Sequence, residues 1–210
     1  LPILEKIVPE IMAPQALIMT PTRELALQVA KEISELGRKN NPRICVVYGG
    51  ASINPQISEL RRGAQIVVGT PGRLLDHLER RTINLSKIMF LVLDEADRML
   101  DMGFIPDVKR ILEHTSKDRQ TMLFSATMPK EIINLSRSYL NNPELIKVSE
   151  DELSVEAIKQ YYASVDWKDK LTAISAVLEE KKAEHTLVFT RTKIGADNLS
   201  HKLHQRGFKV

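Results

Sequence analysis

Two carboxylates side by side at the end of an apolar run give this sequence its first chemical reading. Residues 89–93 are apolar, and Asp94-Glu95 follows them directly. If the run is a buried strand, it delivers both carboxylates to the edge of a sheet. An aspartate there can hold Mg2+ through water, and a second carboxylate beside it can orient or deprotonate an attacking water. A solvated acidic turn that caps the next helix would use the same residues. A second pattern occurs twice, as Thr20-Pro21-Thr22-Arg23 and Thr70-Pro71-Gly72-Arg73. Threonine can cap a helix and proline at its first position loses no hydrogen bond. The free N–H groups then face outward, where an anion can bind, and arginine adds a charge whose geometry suits phosphate. Either copy alone reads as a helix start; two at matching places give the phosphate-gripping reading equal weight. Gly49-Gly50 permits a close backbone approach to a ligand, or simply a turn. The hydroxyls of Ser125-Ala126-Thr127, before Met128-Pro129, can bond Asp97 or cap a helix.

The elements that must position these residues follow from periodicity. Apolar runs at 16–19, 44–48, 66–68, 89–93, 121–124 and 145–148 read as strands. Between them, helical patterns run over 24–40, from Asn54-Pro55 onward, and over 71–80, 104–114 and 130–140. The first of these carries Leu25, Val29, Ile33 and Leu36 on one face, with Gly37 near its end. The strand runs are continuous rather than alternating, as expected of strands covered on both faces. The β-α-β-α order predicts a doubly wound α/β fold with a parallel sheet. In such sheets ligands sit at the carboxyl ends of the strands, where all the residues above fall.

After residue 148 the texture changes. Ser149-Glu150-Asp151-Glu152 is acidic and has no core pattern. The expected organisation is a first domain over 1–150, a linker over 151–166 and the start of a second domain over 167–210. Within the last two, 158–165 and 186–189 read as strands, 168–181 and 193–206 as helices, and 208–210 as the opening of another strand.

Composition narrows the class without naming a partner. The 210 residues are 43% hydrophobic and 27% charged, which suits a globular protein. Aromatics are only 5%, too few for a surface built mainly on stacking. A net charge of +3 permits nucleic acid but does not point to it. The lone Cys45 lies in an apolar run and forms no disulfide, which fits a reducing, cytoplasmic setting. No run approaches the ~20 apolar residues of a membrane span, so no membrane partner is expected. The first residues do not read as a signal peptide.

Taken in order, the motifs resemble the DEAD-box RNA helicases. They are P-T-R-E-L-A at 21–26, Gly49-Gly50, T-P-G-R at 70–73, D-E-A-D at 94–97 and S-A-T at 125–127, with L-V-F-T-R-T at 187–192 similar to the motif that opens the family's second RecA-like domain. The likeness runs along essentially the whole chain. It implies a RecA-like parallel sheet flanked by helices, truncated at its N-terminus, and the beginning of a second such domain. It implies ATP and Mg2+ as cofactors and single-stranded or locally duplex RNA as partner. Asp94 would coordinate Mg2+ through water, Glu95 would activate the hydrolytic water, and Asp97 would bond Ser125 and Thr127, coupling nucleotide state to RNA. Thr22, Arg23, Gly50, Thr70, Gly72 and Arg73 would contact the RNA backbone, and Thr190, Arg191 and Thr192 would lie near it. The implied activity is RNA-stimulated ATP hydrolysis coupled to local unwinding.

The sequence departs from the family at two places. It holds no G-x-x-x-x-G-K-[ST] phosphate loop, and none of its nine glycines precedes a lysine. It also lacks the H-R-x-G-R-x-x-R-type motif that supplies arginine fingers. These 210 residues alone are therefore expected to be inactive, with activity in the parent protein. Two other readings stay open: a non-hydrolysing RNA-binding or regulatory fragment, and a DNA-directed translocase of the same superfamily.

Overall fold

The computed structural model describes residues 1–38, 42–147, 159–181 and 185–210. They form two compact units, Leu1–Ile146 and Lys147–Val210. Among them no helix is long and apolar enough to cross a membrane.

The first unit is a five-stranded sheet with helices. Its strands are β1 (Ala16–Met19), β2 (Ile44–Val47), β3 (Ile66–Gly69), β4 (Phe90–Leu93) and β5 (Gln120–Leu123). They are ordered β2-β3-β1-β4-β5, and every pairing is parallel. The central three are buried at every position, whereas the edge strands β2 and β5 are covered only in part. Continuous apolar runs thus mark the middle of the sheet, where both faces are packed. One face holds Leu17, Met19, Val67, Leu91 and Leu93; the other holds Ala16, Ile18, Ile66, Val68 and Val92. Each fully buried aliphatic side chain contributes about 1.5–3 kcal/mol, so these short strands are held by packing on both sides.

The helices of this unit are α1 (Pro2–Lys6), α2 (Arg23–Leu36), α3 (Ile53–Arg61), α4 (Pro71–Glu79), α5 (Ala96–Asp101), α6 (Ile105–Glu113) and α7 (Lys130–Tyr139). α2 differs from expectation. Its buried residues are Ala26 and Ala30, with Val29 and Ile33 partly covered, while Leu36 is exposed. The two alanines let the helix backbone lie close to the sheet, and that turns Leu36 outward. The start of α3 is also shifted, with Ser52 at the cap and Pro55 inside the first turn, where a missing N–H costs nothing. α1 and α5 had no counterpart in the periodicity, being too short to show one.

Four expected strands do not form. Leu145 and Ile146 are 69% and 77% exposed and have no ladder partner; Val148, the last residue of that run, lies outside the described residues. Residues 159–165, 186–189 and 208–210 likewise lie in no strand, and residue 158 is outside the described set. An apolar run becomes a strand only when a neighbour accepts its N–H groups. The second unit instead consists of a 3-10 turn (Trp167–Asp169), α8 (Lys170–Lys181) and α9 (Lys193–Gln205). Arg206 joins its two helices, donating to Leu171 O at 3.4 Å and Ser175 Oγ at 3.0 Å.

Candidate nucleotide and nucleic-acid site

Because all five strands run the same way, their carboxyl ends form one edge. The hydrogen-bond ladder continues into the loops beyond them. Thr70 N–H donates to Val47 O at 2.9 Å, Thr20 N–H to Gly69 O at 3.0 Å, Asp94 N–H to Met19 O at 3.0 Å, and Phe124 N–H to Leu93 O at 2.8 Å. Strand order therefore sets the order of motifs: Gly49-Gly50, then Thr70 to Arg73, Thr20 to Arg23, Asp94 to Asp97, and Ser125 to Thr127. The two T-P-x-R segments follow directly paired strands, with Met19 opposite Gly69. Gly69 itself cannot carry a side chain, since a Cβ there would stand 2.5 Å from Val47 O.

The acidic segment occupies the loop after β4. Asp94 is half-buried, and its Oδ1 accepts the Glu95 N–H at 3.0 Å. Burial raises its pKa above the ordinary carboxylate value; the Glu95 N–H bond opposes that rise and the Glu95 charge adds to it. Glu95 has φ +50° and ψ +53°, the left-handed region, immediately before α5. Such a conformation in a non-glycine residue is unfavourable and is held by its surroundings. Here the flanking peptides are fixed by Asp94 N–H on Met19 O and by Ala96 N–H on Phe124 O at 3.0 Å. The Glu95 carboxylate reaches Arg98 Nη1 at 3.1 Å.

Asp97 meets the loop after β5 at three points. Its N–H donates to Ser125 Oγ at 3.0 Å, and its Oδ2 accepts from both Thr127 N–H and Thr127 Oγ1–H, each at 2.9 Å. Burial pushes the Asp97 pKa up, but bonds from Thr127, Ser125 and the Arg98 N–H outweigh it and hold the carboxyl below its usual range.

The basic side of the edge is built differently at its two T-P-x-R copies. Thr22 caps α2, accepting the Leu25 N–H at 3.3 Å. Thr70 occupies the cap position of α4 but makes no side-chain cap bond. The arginines diverge as well. Arg23 is exposed, with its guanidinium 4.6 Å from the centre of the Tyr48 ring. Arg73 is only 13% exposed and turns inward, donating from both terminal nitrogens to Ala51 O at 3.0 Å. Gly50 has φ +76°, which suits glycine, while a Cβ at Gly72 would stand in open space. Thr190, Arg191 and Thr192 are exposed in the second unit. There Thr190 Oγ1–H donates to Thr192 O at 2.9 Å and Thr192 Oγ1 accepts the Gly195 N–H at 3.0 Å. Thr20 and Thr22 make the same pair of bonds ahead of α2. The local hydrogen-bond echo thus links 20–25 with 190–195, although the residue echo lay between 20–23 and 70–73.

Comparison with known proteins agrees with this edge. The family model for DEAD/DEAH box helicases matches residues 1–135. The chain belongs to the DEAD/DEAH box helicase family. It is 44% identical over 208 residues to the DEAD-box ATP-dependent RNA helicase CshA of Geobacillus kaustophilus, covering 99% of this chain and 44% of that one. It is 45% identical to the ATP-dependent RNA helicase CshA of Listeria monocytogenes, covering 99% of this chain and 40% of the relative. A crystal structure of a DEAD box protein from Methanococcus jannaschii superposes with a TM-score of 0.68 at 44% identity, over 99% of this chain and 55% of the other. The chain thus spans less than half the length of these curated relatives. The five-stranded sheet is the RecA-like sheet of DEAD-box proteins.

The donor set bears on the metal. Among the described residues no group of three or more His, Cys, Asp or Glu side chains is placed to hold an ion. The one half-buried carboxylate of Asp94 would suit only a cation that needs few protein ligands, as Mg2+ does.

Proposed function

We propose that this chain is part of an ATP-dependent RNA helicase, in which ATP hydrolysis is coupled to a grip on single-stranded RNA. The observation that carries the reading is the Asp97 junction. One carboxylate oxygen takes two bonds from Thr127 while the Asp97 N–H engages Ser125. A change at the nucleotide end is thereby felt at the neighbouring strand end. Asp94 would hold a Mg2+ through water, and the ion would supply positive charge against that of the phosphates. Glu95 orients and deprotonates the attacking water. Its backbone is left-handed, and its carboxylate is held by Arg98 of the helix that follows.

On the other half of the edge, Thr22, Arg23, Gly50, Thr70 and Gly72 contact the sugar-phosphate backbone, and Arg73 acts by holding Ala51. Thr190, Arg191 and Thr192 add contacts from the second unit. Such contacts are indifferent to base identity. The free, buried Cys45 fits a reducing compartment such as the cytoplasm. A second reading for the 210 residues by themselves, an RNA-binding piece without hydrolysis, is favoured by the lack of any G-x-x-x-x-G-K-[ST] segment.

The test is phosphate release by the full-length gene product, with single-stranded RNA, with DNA, and with neither. Stimulation by RNA alone is expected, and Glu95→Gln should lower kcat roughly 10²–10⁴-fold. Equal stimulation by DNA would point to a translocase; no stimulation would point to a binding module.

A further inference from the structure

Two buried polar side chains and a half-buried threonine lie behind the Gly49-Gly50 turn, and the chemistry above uses none of them. Gln56, on α3, is 6% exposed; His77, on α4, is fully buried. Gln56 Nε2 donates to Tyr48 O at 3.1 Å and Ser52 O at 3.4 Å. With its amide N–H groups so used, Gln56 Oε1 faces His77 Nε2 at 3.1 Å. That imidazole nitrogen must therefore carry the proton. His77 Nδ1 then lies 2.7 Å from Thr82 Oγ1, whose one hydroxyl hydrogen is shared between that nitrogen and His77 O at 3.1 Å. Burial, together with nearby Arg73, keeps the imidazole in this neutral form against the pull of Asp76.

The turn these groups hold is the one that presents Gly50. Gln56 takes the carbonyls of residues 48 and 52, and Arg73 takes that of residue 51. The same turn carries the Tyr48 ring that supports Arg23. One buried amide thus fixes the backbone that offers Gly50 and the platform that aims Arg23. Apolar packing alone would not demand such a chain, because every buried polar group adds a desolvation cost that only its partners offset.

We propose that Gln56 is a positioning residue for the nucleic-acid edge, its amide, oriented by His77 and Thr82, holding the turn at 48–52 and Tyr48 in the gripping geometry. This rests on the RNA-binding reading above. It is tested on the 210-residue chain with a labelled ten-nucleotide oligouridylate, followed by fluorescence anisotropy. Amide hydrogen exchange is measured alongside, both at 49–52 and in β1. Gln56→Met keeps the side-chain volume and removes the bonds. It should weaken binding roughly tenfold and speed exchange at 49–52 while β1 stays protected. Thr82→Val should act in the same direction more weakly, and Thr82→Ser should restore wild-type binding. These two variants decide the matter if Gln56→Met does not fold. Wild-type binding by a folded Gln56→Met overturns the proposal. So does a loss of protection spread evenly through the sheet, or a defect in Thr82→Val that Thr82→Ser shares. A wild-type chain that binds no RNA overturns the reading of the edge instead. The positioning claim then stands or falls on whether Gln56→Met speeds exchange at 49–52.

Discussion

At the residue scale, Glu95 and Asp97 each carry a cost that the surrounding loops offset. Glu95 sits at φ +50°, where a Cβ costs about 1–2 kcal/mol and glycine pays almost nothing. Glu95→Gly should therefore be more stable than Glu95→Ala by about 1 kcal/mol in thermal unfolding. Both variants lose the exposed bond to Arg98, so that term cancels. Both should also lose hydrolytic competence in the full-length protein, so the more stable variant is no more active. Asp97 gives a prediction in pH. Its folded-state pKa lies below the unfolded value. Its contribution to stability is thus complete above the ordinary carboxylate pKa, ~3.9. It disappears as pH falls below that value and through the lowered folded one. The Thr127 amide resonance, followed by NMR, should be constant above that window and shift within it. Asp97→Asn should remove the transition.

At the element scale, two helix starts with the same residue pattern are built for different ends. Thr22 spends its hydroxyl on the Leu25 N–H, whereas Thr70 spends none on α4. Thr22→Ala should cost about 1 kcal/mol in chemical unfolding, and Thr70→Ala clearly less. Both should weaken RNA binding, so affinity and stability will separate at Thr70 and move together at Thr22. The T-P-x-R spacing announced the start of α4, where Pro71 is the first helical residue, but misplaced that of α2, where Thr22 is the cap and Pro21 lies ahead of the helix. It could not announce which hydroxyl caps, since that depends on how each helix meets its strand. The same limit applies to the arginines. Identical in sequence context, Arg23 projects over Tyr48 while Arg73 turns into the fold, because only Arg73 has Ala51 O beside it.

At the scale of the whole molecule, the strand-end edge supplies carboxylates and the surface proposed to grip RNA. The 210 residues supply no lysine-bearing phosphate loop. That loop's backbone and lysine provide much of the charge stabilisation in phosphoryl transfer. Alone, this chain should release no phosphate from ATP above the buffer rate, with or without RNA; steady RNA-stimulated turnover would overturn that. The sequence by itself determined the parallel α/β class, the strands placed at 16–19, 66–68 and 89–93 to within a residue at either end, and the ordered motifs at their ends. These follow from local physics: runs of apolar residues, helix-start chemistry and carboxylates set beside them. It did not determine which other apolar runs become strands, because strand pairing at 145–146 and 186–189 depended on neighbours that no local pattern can promise. Tertiary structure alone decided the strand order that lines up Asp94, Asp97 and Thr127. It also decided the left-handed Glu95 and the hydrogen-bonded chain Gln56–His77–Thr82. Each of these rests on bonds between residues distant in sequence, formed only where the sheet brings their loops together. The two carboxylates that end β4 thus owe their presence to the sequence and their geometry to the strands on either side.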